Sequence, residues 1–162
     1  KIIMQNLPKV VADGSDLLAR QAMLNASAMA CNSVVNDFGP SPVHNFAHAF
    51  GAVCHIHHGE ANGVLLPIVM EEFADFYVPV ADRLKGVFGG EGEGRAGVLA
   101  CAARISALLE EMGHPRDFTR HDIPLSKMPD IVLAIAHDPI AAFLPLPMDL
   151  IETVCSRVCN WS

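Results

Sequence analysis

Basic charge is scarce in this 162-residue chain: 11 Lys and Arg stand against 18 Asp and Glu, for a net charge of −7. The few cations are scattered singly, so no basic stripe exists to displace counterions from phosphates, and nucleic-acid binding is excluded. No run of about 18 uninterrupted apolar residues occurs, which excludes a membrane span. The opening Lys1-Ile2-Ile3-Met4 has neither an apolar h-region nor a cleavage site after it, and no initiator Met. It reads as mid-protein sequence without a signal peptide, so the chain is expected to be a fragment. With 5 Cys, 12 Gly and 11 Pro in no pattern, disulfide-scaffold and collagen-like folds are also out. The odd set Cys31, Cys54, Cys101, Cys155 and Cys159 includes several with apolar neighbours. Reduced, buried thiols in a cytoplasmic protein are expected. Cys155 and Cys159 are one helical turn apart, but no further metal ligand stands nearby in sequence.

Apolar residues are plentiful, at 51%, with 18% charged. That excludes disorder as the main state. The length suits about one domain, able to bury roughly two-thirds of its unfolded surface. The periodicity is helical throughout. Leu17, Leu18, Leu24, Ala28, Cys31 and Val35 form a stripe, with Ser15 as N-cap candidate and Gly39-Pro40 as the stop. Further helices are predicted over about 43–53, 59–77, 80–88, 95–112, 126–137 and 148–160, with a kink or break at Pro67 near the first turns of its helix. Ser126 is a cap candidate, and Pro147 is placed in a first turn. Residues 89–94 alternate Gly and Glu after a Gly pair, and read as a flexible surface connection. It is not a phosphate loop, because no Lys-Ser/Thr follows and its Glu residues repel phosphate. No hairpin signal, internal repeat or domain linker appears. The fold class is all-α.

The chemistry concentrates in one segment. Of 8 His, five lie within fifteen residues: His44, His48, His55, His57 and His58. His44 and His48, four apart, share a helix face, and neutral imidazole is the commonest metal ligand. His58 lies fourteen residues beyond His44, about 21 Å away on an unbroken helix. A common site therefore requires the chain to turn, at Gly51 or just before Gly59. His114 and His121 fall in polar loops and read as solvated. His137 precedes Asp138-Pro139 at a helix end, where the helix dipole favours a cation.

The arrangement His44-x3-His48-x9-His58-Gly59, followed by Asn62 and Leu65-Leu66-Pro67, resembles the iron-containing (group III) alcohol dehydrogenases. His55 in His55-Ile56-x-His58-Gly59 is like the alcohol dehydrogenase part of bifunctional aldehyde-alcohol dehydrogenases. Asn6-Leu7-Pro8, Asp13-Gly14, the run Ala19–Met23 and the His137-Asp138-Pro139 turn extend the likeness over nearly the whole chain. The resemblance implies the C-terminal helical, metal-binding domain of a two-domain enzyme. Residues 1–162 would form that domain, incomplete on its N-terminal side, and the α/β nicotinamide domain would be absent.

By that resemblance His44 and His58 are metal ligands, and His48 stands between metal and nicotinamide, near the hydride path. Phe46 and His55 are candidates for the substrate pocket, although Phe46 and Phe50 also suit a core. The family's remaining Asp and His ligands belong to an upstream helix, which nothing in Lys1–Val10 replaces. The implied cofactors are a divalent metal, Fe2+ or alternatively Zn2+, and NAD or NADP held mainly by the absent N-terminal domain. The implied partners are a small alcohol or aldehyde, that domain and, in the full-length enzyme, further copies as a homo-oligomer. Ser41 between Pro40 and Pro42, Asn45 where a small residue is common, Phe46 for Met or Leu, and His57 for Pro depart from the family pattern. They predict a stiffer entry to the His helix and a reshaped pocket. Two other readings compete: a stand-alone, non-catalytic helical metal-binding or interaction module, and dehydroquinate synthase-like or glycerol dehydrogenase-like chemistry. The Leu-Leu-Pro continuation and His55 favour alcohol dehydrogenase over the latter.

Overall fold

A computed structural model describes residues 1–37, with side chains through residue 32, and residues 41–161. Among the described residues every regular element is helical and no strand occurs, as the periodicity predicts. No helix among them is long and apolar enough to cross a membrane. The chain divides into two compact units, Lys1–Gly39 and Pro40–Ser162.

In the first unit α1 (Ile2–Ala12) packs on α2 (Leu17–Asp37). The sequence pattern predicts no helix at α1, which lacks a side-chain cap and carries Pro8 in its interior, two features that argue against a helix. Ser15 does not cap α2. Its N–H and hydroxyl both donate to Asp13 Oδ1, at 2.8 and 2.6 Å. Asp16 caps instead, its Oδ1 accepting the Ala19 N–H at 2.9 Å. A carboxylate accepting a backbone N–H makes a strong, charge-assisted cap. The predicted leucine stripe is not buried: Leu17, Leu18 and Leu24 are 76, 80 and 72% exposed. A two-helix pair buries one narrow seam, and among the described side chains of this unit the buried positions are Ala19 and Ala26, two turns apart. The predicted stop at Gly39-Pro40 lies outside the described residues, as does the side chain of Val35.

The second unit contains α3 (Pro42–Cys54), α4 (His58–Glu72), α5 (Ala74–Tyr77), α6 (Ala81–Phe88), α7 (Gly94–Glu111), α8 (Met128–Ala136) and α9 (Met148–Cys159). Short 3-10 turns lie at Val78–Val80, Thr119–His121, Leu125–Lys127 and Pro139–Ala142. Helix α4 is central and packs on α3, α7 and α9, while α3 also packs on α8. The larger core joins Phe46, Phe50, Leu65, Phe118, Ile135 and Val154, with the Phe50 and Phe118 rings 4.7 Å apart. A second core joins Met70, Ala74, Val98, Cys101 and Ile105.

Several predicted details shift. Pro67 does not break α4, because Val64, Leu65, Val69 and Met70 are buried on both sides of it and tertiary packing holds the helix. The break falls at Phe73 instead. Ser126 sits inside a 3-10 turn and does not cap α8, which begins without a side-chain cap and with Pro129 presetting its first turn. The Gly–Glu connection is packed rather than loose. Gly92 O accepts from Lys85 Nζ at 2.9 Å, and a Cβ on Gly97 would lie 2.9 Å from that same carbonyl oxygen.

All five cysteines are free thiols. Cys101, Cys155 and Cys159 are buried as expected, Cys54 is half-buried, and Cys31 is exposed despite its apolar neighbours. Burial, with neighbouring thiols, pushes Cys155 and Cys159 up to about 12.

Candidate metal centre

The site is built by a helix, a tight turn and a second helix. Ser41, in extended backbone, precedes α3, and Pro42 occupies the first turn, where its missing N–H leaves no helical bond unmade. This is the stiff entry that the sequence predicts; Pro40 lies outside the described residues. His44 and His48 project from α3 one turn apart. The helix ends at His55, which takes the left-handed conformation with φ 58°. His55 N–H donates to Gly51 O at 3.1 Å, the single bond of an αL-type stop, and Ile56 N–H donates to Phe50 O at 3.4 Å. Ile56 then enters the core at 3% exposure. His57 caps α4, its Nδ1 accepting the Gly59 N–H at 3.2 Å. The turn required between His44 and His58 therefore falls at residues 55–57, and Gly51 stays inside α3.

That reversal returns His58, the first residue of α4, to the face carrying His44 and His48. The ring centres are 5.8 Å apart for His44–His48, 5.6 Å for His44–His58 and 5.5 Å for His48–His58. The cluster reaches the surface, with His44 half-buried and His48 and His58 exposed. Burial, then the neighbouring His58 and His48, lowers the His44 pKa, with Asp138 opposing. His44 is thus held in the neutral form that ligates metals.

Two imidazoles bound to one tetrahedral ion, with bonds of about 2.0–2.1 Å, put their ring centres roughly 5 Å apart. The His44–His58 pair, at 5.6 Å and tilted by 53°, fits this arrangement. His48 and His58 lie closer to parallel, at 23°. The nitrogen lone pairs lie in the ring planes, so near-parallel rings aim them less readily at one point. Among the described residues no three His, Cys, Asp or Glu side chains form a metal-binding group. His58 Nε2 is already approached by the Asn62 amide nitrogen at 3.1 Å, while that nitrogen also donates to His58 O at 2.8 Å.

Two partners of the cluster, Asp138 and Asn62, and a separate group around Glu60 are not legible in sequence as site residues. Asp138 Oδ2 lies 2.8 Å from His48 Nδ1, ninety residues away in sequence. Glu60, in the first turn of α4, accepts from His121 Nε2 at 2.7 Å and from Arg120 Nη2 at 2.5 Å. Asn62 holds the His58 ring. The spacing Asn62–His58, one helical turn, is the one signal that could have suggested such a contact.

Other residues settle elsewhere. Phe46 is fully buried, its ring 6.0 Å from Phe73, so it packs the core rather than the face bearing the imidazoles. His55 is the exposed helix stop, and His57 is a cap. Asn45 faces the interior at 0% exposure, with neither amide atom hydrogen-bonded among the described residues. His114 and His121 are not simply solvated. The His114 ring lies over Gly63 with Nδ1 2.9 Å from Pro115 O, and His121 is bound to Glu60. His137 Nδ1 donates to Leu133 O at 2.9 Å, at the carbonyl-rich end of α8 where the dipole argument puts it.

Residues 1–151 match the family described as "Fe-containing alcohol dehydrogenase family, C-terminal". The long-chain-alcohol dehydrogenase 1 of Geobacillus thermodenitrificans is 31% identical over 152 residues, 91% of this chain and 38% of that protein. The 1,3-propanediol dehydrogenase of Klebsiella pneumoniae is 30% identical over 141 residues, 82% of this chain and 36% of its own. A crystal structure of 1,3-propanediol oxidoreductase superposes with a TM-score of 0.79 at 26% identity, covering 97% of this chain and 42% of that one. The chain thus spans well under half the length of the proteins it matches.

Proposed function

Because the chain belongs to the Fe-containing alcohol dehydrogenase family, we propose that it is the metal-holding part of a cytoplasmic, homo-oligomeric, nicotinamide-dependent enzyme that interconverts primary alcohols and aldehydes. The observation that carries this reading is the gathering of His44, His48 and His58 within 5.8 Å of one another by the α3–turn–α4 unit. His44 and His58 would hold the metal. Iron suits this donor set, with zinc the alternative, since neutral imidazole binds both. When bound, such an ion supplies Lewis acidity that makes an alcohol easier to deprotonate, and NAD or NADP, held by a further domain, supplies the hydride acceptor. His48, exposed and near-parallel to His58, takes the alcohol proton and passes it to solvent. Its face of the cluster would meet the nicotinamide. Free thiols on all five cysteines suit a reducing compartment.

The test is metal content beside turnover in the complete gene product. His44→Ala and His58→Ala should each lose metal, because each removes a direct bond. His48→Ala should keep metal and lose turnover. Equal metal loss in all three variants would make His48 a ligand. Full metal in the His44 and His58 variants, without alcohol-dependent nicotinamide reduction in the parent, would favour the non-catalytic module. The 162-residue chain alone, with two ligands of the three or four a stable site needs, should bind Fe(II) or Zn(II) weakly and reduce no NAD with short primary alcohols.

A further inference from the structure

Asp138 is held in an unusually defined way for a loop carboxylate. Its side chain is only 7% exposed, while that of its partner His48 is 45% exposed. Oδ1 accepts the Ile140 N–H at 2.8 Å, as the cap of the Pro139–Ala142 turn. The same residue's backbone is fixed at both ends, Asp138 N–H donating to Ile135 O at 3.3 Å and Ala141 N–H to Asp138 O at 2.8 Å. One oxygen is thus committed to the backbone, and the other, Oδ2, faces His48 Nδ1 at 2.8 Å. A carboxylate only accepts hydrogen bonds, so this contact puts the ring proton of neutral His48 on Nδ1 and leaves the lone pair on Nε2.

We infer that Asp138 is the positioning residue for His48: it fixes the ring's orientation and its Nδ1–H tautomer, so that Nε2 is the nitrogen that accepts the proton of the alcohol. This deepens, and rests on, the reading that His48 moves that proton. The balance of the step is simple. The alcohol O–H bond breaks, an Nε2–H bond forms, and the carboxylate of Asp138 stays as it is while facing an imidazolium with two N–H groups. An oriented base of this kind contributes more than its basicity alone, because the acceptor lone pair is already aimed.

A merely structural Asp138 would cap the Pro139–Ala142 turn and no more. Two substitutions separate the roles. Asp138→Ser keeps a cap acceptor but is too short to reach His48. Asp138→Asn keeps the cap through its carbonyl oxygen and turns an amide N–H toward Nδ1, which forces the His48 proton onto Nε2. The first readout is the histidine tautomer, from long-range proton–nitrogen correlation NMR on metal-free protein labelled with nitrogen-15 at histidine. The expected result is an Nδ1–H ring for His48 in the parent, an Nε2–H ring in Asp138→Asn and a mixture in Asp138→Ser. The second readout is kinetic, on the metal-loaded complete gene product. Asp138→Asn should lower kcat roughly 100-fold, the lower end of what a positioned base contributes, with metal content and alcohol KM near the parent's.

An unchanged tautomer in Asp138→Asn overturns the inference, as does an inverted tautomer with kcat intact. Metal loss in Asp138→Asn overturns it too, since the carboxylate would then be orienting a ligand. Failure of the underlying reading looks different: a parent enzyme with no alcohol-dependent nicotinamide reduction, or His48→Ala with full turnover, whatever the NMR tautomer shows.

Discussion

The same substitution, Gly to Ala, should change sign between two helices of this protein. Gly63 lies inside α4, and a Cβ there would sit 2.4 Å from both Cε1 and Nε2 of His114 and 3.2 Å from its Nδ1. Comfortable separations are about 3.5–4.0 Å, so the ring must retreat by roughly 1 Å or more. The retreat strains the His114 Nδ1–Pro115 O bond of 2.9 Å. Overpacking costs about 1–3 kcal/mol and a lost half-buried hydrogen bond about 1 kcal/mol. Against these stands a helix-propensity gain of about 1 kcal/mol. The net expectation is destabilisation by about 1–3 kcal/mol. Gly86 in α6 is the contrast: it is exposed, with nothing within 4 Å of an added Cβ, and Gly86→Ala should stabilise by about 0.5–1 kcal/mol. The assay is urea unfolding of the chain, with Gly63→Ala made in both the parent and a His114→Ala background. Removing the ring should convert the Gly63→Ala penalty into a gain of about 1 kcal/mol. Stabilisation by Gly63→Ala in the parent, equal to that of Gly86→Ala, would refute the packing argument.

Thiol accessibility gives a pH-dependent expectation. With their thiols pushed up to about 12, Cys155 and Cys159 are about one part in 10,000 thiolate at pH 8, each pH unit being a factor of ten. The raised value means reactivity grows as pH rises toward it. A colorimetric thiol reagent at pH 8 should modify exposed Cys31 first, and these two only after denaturation; fast native modification of either refutes their burial. His55→Gly should raise stability by about 0.5–1 kcal/mol, because φ 58° strains a non-glycine residue by about 1–2 kcal/mol, partly offset by the entropy of glycine. A melting temperature about 1–4 °C higher checks it, and a lower one would mean that the His55 side chain holds the turn.

The helices were legible where local chemistry and packing agreed. The proline entry to the His helix, the helix predicted over 95–112 and the buried Cys155 and Cys159 of the last helix all appear in sequence as they do in the fold. They failed where tertiary contacts decide. The leucines of α2 obey a helical period yet face outward, since periodicity specifies a face but not what covers it. Ser15 and Ser126 carry capping chemistry, but Asp13 claims the first and a 3-10 turn absorbs the second. In the site, His44, His48 and His58 were visible because the pattern is local, fifteen residues long. Asp138 and the Glu60–His121–Arg120 contacts were not, because nothing in sequence links residues sixty or ninety positions apart. Asn45 and Phe46 depart from the family pattern beside His44, but successive helix residues point about 100° apart, and both turn inward.

The joint at residues 55–57 also bears on how this protein can change. His55 supplies a left-handed stop, Ile56 a plug into the core, and His57 a cap for the next helix. Substitutions that respect those three roles leave the reversal intact. An inserted or deleted residue does not, because it rotates the start of α4 by about 100° relative to its packed body or withdraws Ile56 from the core. Either change swings His58 off the face that His44 occupies. The Gly–Glu connection before α7 has a similar intolerance for a different reason, being wedged between Lys85 and Gly97. Length variation should therefore accumulate elsewhere, while the joint admits new letters but no change of count.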